Sequence, residues 1–195
     1  MSNCYDDLIK SAVKGYFSEL LDVFGPDGWL WIKAQMAQES SFQPYAKSSS
    51  GAMGLMQLIP STWEVFSQPG NNPFYPRDNI SAGVRYMAYL YGRFDEIPDP
   101  VERIRITLAC YNGGPGYPNV AIALAREAEG LPFGYRAWRK AGKVQGKWQE
   151  WDTWSHFLKD PRCKANGKNP DYRQVIDYVE KICAYHASYV EQGDA

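Results

Sequence analysis

Apolar residues recur at helical spacing along most of this chain, and no segment shows the alternation of a strand. Between Asp6 and Phe24, Leu8, Ala12, Tyr16 and Leu20 form one stripe. Gly25-Pro26 breaks it, and Pro26 suits the first turn of the next helix. That helix places Ile32, Met36 and Glu39 on one face and stops at Pro44. Lys47 to Gly54 is rich in Ser and Gly and reads as a loop. A helix starts near Pro60, with Ser61 and Glu64 spaced for a capping box. After a Pro/Asn/Gly loop from Gln68 to Pro76, Asp78 or Asn79 caps a helix carrying Ile80, Val84, Met87, Tyr91 and Phe94 along one stripe. Pro98 to Pro100 leads into a helix bearing Ile104, Leu108 and Tyr111, stopped by Gly113-Gly114-Pro115-Gly116. A short helix follows from Asn119 to Glu129. The periodicity fades from Leu131 to Pro170, a stretch holding Trp138, Trp148, Trp151 and Trp154. A last helix runs from about Asp171 to Val190, with Val175, Val179, Ile182 and His186 on one stripe. The expected fold class is therefore all-α.

With 195 residues the chain can bury a core without help from disulfides or metal, and a single domain over 1–195 is expected. The net charge is −1, which excludes nucleic acid as a partner, since neutralising phosphates takes an excess of Lys and Arg. The 14 Tyr, 7 Trp and 8 Phe exceed what a core this size uses, and surplus rings suit a groove that stacks on a flat ligand. Cys4, Cys110, Cys163 and Cys183 show no metal-ligand spacing, so neither metal nor cofactor is expected. Cys110, in an apolar helical stretch, reads as a buried thiol. Cys163 and Cys183 have the chance to meet across a loop and a helix, which sequence leaves open. His156 and His186 have no local pattern pairing them with a thiol, so cysteine catalysis is disfavoured. No apolar run approaches the roughly 20 residues of a membrane span. The start, MSNCYDDLIK, has no signal-peptide pattern, which leaves a trimmed chain or another route to its target, such as a phage or prophage product.

Glu39 is the residue that most suggests chemistry. It ends an apolar stripe, where poor solvation disfavours the charged carboxylate and raises its pKa. The negative end of a helix dipole pushes the same way. A glycosidic oxygen leaves only when protonated, so cutting it takes an acid still protonated near neutral pH. A glutamate that merely reaches solvent from a helix end fits the periodicity equally.

The wider string decides between them. Gln38 to Thr62 reads QESSFQPYAKSSSGAMGLMQLIPST and resembles the soluble lytic transglycosylase family, whose relatives include goose-type lysozymes. NISAGVRYMAYL, Asn79 to Leu90, is similar to that family's Asn-Ile-x-x-Gly-x-x-Tyr-Leu helix, with Met87 at the Leu position. LACYNGGPG, Leu108 to Gly116, is similar to its Ala-Tyr-Asn-Ala-Gly motif, with Cys110 and Gly113 in place of the two Ala. DYVEKI, Asp177 to Ile182, resembles its closing Tyr-Val helix, although Gln174-Val175 departs from the family's Glu-Thr. The blocks keep the family's order and reach from Gln35 to about Ala184.

The resemblance implies a lysozyme-like helical domain, with motifs in 35–116 and 171–184 and a Trp-rich insertion over about 131–170. It implies that Glu39 protonates the oxygen between N-acetylmuramic acid and N-acetylglucosamine, then takes the proton from the muramic 6-hydroxyl, closing a 1,6-anhydro ring without water. The substrate's acetamido group would stabilise the cation-like centre. Ser40 would orient Glu39 or touch substrate. Ser50, Gly54, Leu55, Met56 and Gln57 would line the groove, Gly54 letting the backbone approach a sugar and Gln57 offering donor and acceptor to an acetamido group. Tyr111, Asn112 and Tyr178 would face the acid. Glu64, Asp78, Asp95 and Glu96 are available as a second acid, but capping and solvated-surface roles explain them better. The expected partner is the peptidoglycan glycan strand, met by a monomer at the bacterial wall, in periplasm or outside the cell. Two other readings share the fold: a hydrolase of the goose-type lysozyme kind, and a non-catalytic wall-binding or virion structural module. The Trp-rich insertion has two readings, a sugar-stacking platform and a local core.

Overall fold

The computed structural model describes residues 4–193. The helices are α1 (Asp6–Tyr16), α2 (Glu19–Phe24), α3 (Leu30–Ser40), α4 (Pro60–Phe66), α5 (Pro76–Tyr91), α6 (Pro100–Gly113), α7 (Gly116–Ala128), α8 (Tyr135–Lys140), α9 (Trp151–Trp154) and α10 (Tyr172–Glu191), with short 3-10 turns between some of them. Among the described residues strand-like pairing is limited to isolated bridges, so the all-α expectation holds. No described helix is long and apolar enough to cross a membrane. The chain divides into two compact units. One comprises the residues up to Tyr89 and from Glu180 onward; the other is Leu90–Val179.

In the first unit the single helix expected over 6–24 is two, because Phe17 leaves helical geometry (φ −145°) between α1 and α2. Ala12 and Leu20 of the expected stripe are buried, but Ile9, Val13 and Phe17 complete the buried face, one position along from the expected Leu8 and Tyr16. Tyr16 is exposed instead, with the Arg85 guanidinium 4.2 Å above its ring. α3 is buried on every side from Leu30 to Ala37, rather than along one stripe. It ends at Ser41, which turns left-handed, three residues before Pro44. Pro60 does open α4, but Ile59 occupies the cap and the Ser61–Glu64 capping box does not form. α5 starts at Pro76, so Asp78 and Asn79 lie within its first turn and neither is the cap. Asp78 instead accepts the Asn72 N–H at 2.9 Å. On α10, His186 stacks on Trp31 with ring centroids 3.7 Å apart and planes 11° apart. Burial lowers His186 to about 4, so the stacked ring is neutral at pH 7.

Helical periodicity hid one charged residue. Lys33 is fully buried in α3, its ammonium 3.1 Å from Asp6 and 5.1 Å from the Tyr189 ring. Removing one partner of a buried pair costs far more than replacing both with apolar groups. Asp6→Ala is therefore expected to lower stability by about 3 kcal/mol. Combining Asp6→Leu with Lys33→Met should recover most of that loss in urea unfolding.

In the second unit, Asp99 caps α6 by accepting from the Val101 and Glu102 N–H groups. Ile104 and Leu108 are buried as expected. The glycine run is a pivot: Gly114 has φ 78°, and α7 starts at Gly116, three residues before the expected Asn119. The 131–170 stretch is built from α8, α9 and 3-10 turns around its own core. Trp138, Trp148 and Trp154 are fully buried and Trp151 is 5% exposed. The Arg126 guanidinium sits 3.9 Å from the Trp148 ring centroid and 4.6 Å from that of Trp138. These indoles form a local core, which removes them as a sugar-stacking platform. Cys110 is buried, and burial pushes its thiol well above the ordinary value. The Cys163 thiol donates to the Tyr117 carbonyl at 3.5 Å, so it is not bridged to Cys183.

Candidate active site

Glu39 is the next-to-last residue of α3, half-buried, on the turn where the helix dipole is negative. Ser40 is buried, and its hydroxyl donates back to the Met36 carbonyl at 3.3 Å. The chain then turns through two consecutive left-handed residues, Ser41 (φ 49°) and Phe42 (φ 63°). Each such non-glycine residue costs on the order of 1 kcal/mol. Gln57 (φ 46°) is a third, so three of the five described non-glycine residues with positive φ belong to this motif. Strain gathered beside a half-buried carboxyl marks a place where geometry outweighs stability.

The turn is knitted into the next block. The Ser40 carbonyl accepts the Gln43 N–H, and the Gln43 carbonyl accepts the Ala46 N–H. The Ala46 carbonyl accepts the Gly54 N–H at 2.9 Å and the Gln57 side-chain amide at 3.2 Å. The Gln57 amide also donates to the Gly54 carbonyl at 2.9 Å. Its donor side thus serves the loop itself. Ser50 is exposed and its hydroxyl pairs with that of Ser48 at 2.8 Å. Leu55 and Met56 are fully buried.

Asn79 fixes this loop from α5, a role that sequence assigned to helix capping. Its side-chain oxygen accepts the Met56 N–H at 2.7 Å. Its amide donates to the carbonyls of Met53 at 3.0 Å and Pro73 at 2.8 Å. Gly54 makes this possible. Its φ is 73°, and a Cβ there would stand 2.3 Å from the Pro73 carbonyl oxygen and 2.4 Å from the Asn79 amide. The close approach that Gly54 permits is to Asn79 and Pro73. One turn along α5, a Cβ on Gly83 would meet the Met56 side chain at 2.6 Å. The Asn and Gly of the Asn-Ile-x-x-Gly block therefore hold the Gly-Leu-Met-Gln block in place. The spacing of two separate motifs carried that signal, but only together.

Tyr111, Asn112 and Tyr178 belong to the second unit. Tyr111 and Asn112 end α6, half-buried, and Tyr178 is 4% exposed on α10. The Asn112 side-chain oxygen is buried and finds no donor among the described residues. Of the four spare carboxylates, Glu64 and Asp95 are exposed and Asp78 serves the Asn72 turn. Glu96 departs from the surface role expected of it: its side chain is 7% exposed and paired with Arg126 at 3.3 Å.

Residues 28–132 match the family described as the transglycosylase SLT domain. That stretch contains Glu39, the 54–57 loop, Asn79, Gly83, Tyr111 and Asn112. The chain belongs to the transglycosylase SLT family. It is 32% identical over 160 residues to a membrane-bound lytic murein transglycosylase F from Desulfosudis oleivorans, covering 81% of this chain and 32% of that protein. It is 40% identical over 122 residues to a membrane-bound lytic murein transglycosylase C from Haemophilus influenzae, covering 57% of this chain and 32% of that one. The SLT chain thus spans about a third of the length of these curated relatives. Its fold is similar to the 70 kDa soluble lytic transglycosylase from Escherichia coli, with TM-score 0.57 and 26% identity over 95% of this chain and 24% of that one. An inactive glutamate-to-glutamine mutant of the lytic transglycosylase Slt from Pseudomonas aeruginosa superposes with TM-score 0.59 at 21% identity, over 98% of this chain and 25% of that one.

Proposed function

We propose that this SLT chain is a peptidoglycan lytic transglycosylase in which Glu39 serves as both acid and base. The observation that carries the proposal is the placement of Glu39: half-buried, on the last turn of α3, followed by a strained turn bonded into the 54–57 loop. The names of the SLT relatives supply the substrate, murein.

The Glu39 carboxyl protonates the oxygen between N-acetylmuramic acid and N-acetylglucosamine, and the C1–O bond breaks. The neighbouring acetamido group supports the developing positive charge at C1. Glu39, now a carboxylate, takes the proton from the C6 hydroxyl, and O6 bonds to C1. The proton count closes with Glu39 as it began, no water is consumed, and one carboxyl suffices. Gly54, Leu55, Met56 and Gln57, with Ser40 and Ser50, shape the near wall. Tyr111, Asn112 and Tyr178 bind the strand. The site uses no cofactor, and the reaction takes place at the bacterial wall.

Digestion of purified sacculi, followed by mass analysis of the new ends, tests the proposal. Ends lighter by one water than reducing sugars are expected. Reducing ends instead would make the chain a hydrolase on the same fold, and intact sacculi would make it a non-catalytic module.

A further inference from the structure

Trp29, Trp31, Trp138, Trp148, Trp151 and Trp154 are buried. The seventh tryptophan, Trp63, is half-buried on α4. Among the described residues its ring stacks on no other ring and on no cation. It forms one wall of an open groove of about 370 Å³ in the first unit, and the loop that follows α4 forms the other. That loop is a type II turn. Pro69 and Gly70 (φ 84°) are its central residues, and the Gln68 carbonyl accepts the Asn71 N–H at 3.0 Å. The Asn71 side-chain oxygen accepts the Gln68 N–H at 2.8 Å, which ties the two ends of the turn together. Four polar groups on this lining are left over: the Trp63 indole N–H, the Ser67 hydroxyl and the side-chain amides of Gln68 and Asn71. None of the four N–H or O–H groups has an acceptor among the described residues, and none is shut off from solvent. No residue from Trp63 to Asn71 belongs to the motifs assigned to the reaction.

We infer that this groove is a carbohydrate site outside the catalytic motifs, taking an N-acetylated aminosugar. The flat C–H face of the sugar ring covers the indole, the one tryptophan ring that the fold leaves uncovered. Hydroxyl and acetamido groups present donors and acceptors on neighbouring atoms. The groove answers with the same mixture: Ser67 and Gln68 each donate and accept, and the Trp63 and Asn71 N–H groups donate. The turn holds Gln68 and Asn71 in place before any ligand arrives, which lowers the ordering cost of binding. The volume lies within the roughly 300–1,000 Å³ typical of small-molecule sites. Among the described residues no Lys or Arg lines the groove, and the one charge on its rim is the exposed Glu64 carboxylate. A phosphate or a polyanion therefore finds no partner there. A proline-rich peptide docks in a groove walled by several aromatic rings, and this groove has one. The inference rests on the proposed function only for the source of the sugar, a glycan strand gripped at a point additional to the one being cut.

The test is a nitrogen-15 NMR titration of Glu39→Gln protein with the N-acetylglucosamine trisaccharide. Saturable shifts are expected at the Trp63 indole N–H and at the Gln68 and Asn71 side-chain amides. Trp63→Ala should weaken the titration at the two amides by roughly three- to tenfold, with the circular dichroism spectrum unchanged. Trp63→Phe keeps a stacking face and should lose less. If the alanine variant does not fold, Gln68→Ala at an exposed position carries the test, with roughly a threefold loss expected at the Trp63 indole. The absence of saturable shifts at those three groups overturns the inference. So does a titration indifferent to the substitutions, or a stronger response to a decaproline peptide than to the sugar. Sugar binding here in a protein whose wild type leaves sacculi intact would support the site while removing the transglycosylase proposal. Anhydro ends from a wild type whose Trp63 ignores the sugar would do the reverse.

Discussion

Glu39→Gln is expected to reduce wall lysis by about 10²–10⁴-fold, the usual worth of a general acid–base group. Glutamine keeps the side chain's size and its capacity to accept a hydrogen bond, but it neither donates a carboxyl proton nor takes one back. Because Glu39 is half-buried at a helix end, the fold should hardly register the change. A melting temperature within about 2 °C of wild type is expected for a near-isosteric change outside the core. Lysis followed by turbidity, beside a thermal melt, gives both numbers. Glu64→Gln, which alters an exposed carboxylate on α4, should lyse at the wild-type rate. A variant lacking the Glu39 carboxyl yet clearing walls normally would remove the acid from the mechanism.

The second large effect is expected at Asn79, which touches no assigned catalytic group. Asn79→Ala leaves the buried Met56 N–H without its side-chain acceptor and takes a donor from the Met53 and Pro73 carbonyls. Unmaking such bonds costs about 1–3 kcal/mol per stranded group, so a total near 3 kcal/mol is expected in urea unfolding. The activity loss should exceed what unfolding explains, because a displacement of about 1 Å in a positioning loop can cost on the order of 10²-fold. Asn79→Asp keeps the acceptor for Met56 and loses both donors. It should fall between wild type and alanine in stability and in rate. A rate that merely tracks the folded fraction would make Asn79 a structural residue only.

Helix positions were legible because Gly and Pro punctuate the chain and the α5 and α10 stripes are regular. What escaped was anything settled by contacts distant in sequence. Lys33 sits on a helix buried all round, where periodicity gives no warning of a charge beneath the surface. Asn79 looked like a cap because Asn favours caps. Its actual partners, Met56, Met53 and Pro73, lie 23, 26 and six residues back along the chain. Glu96 looked solvated because its partner Arg126 is 30 residues on. The Trp-rich stretch lost periodicity because four short turns wrap an arginine, an arrangement with no repeating face. Within the candidate site, Glu39 and the 54–57 block were visible as a string. The dependence of one motif on another became visible only when Gly54 and Gly83 were seen to make room for Asn79 and Met56.

The most direct measurement is digestion of sacculi in heavy-oxygen water by wild type and by Glu39→Gln, with mass analysis of the released sugars. The account predicts anhydro ends carrying no solvent oxygen from the wild type, and almost no product from the variant. Heavy oxygen at the new ends, or equal product from both proteins, would contradict it.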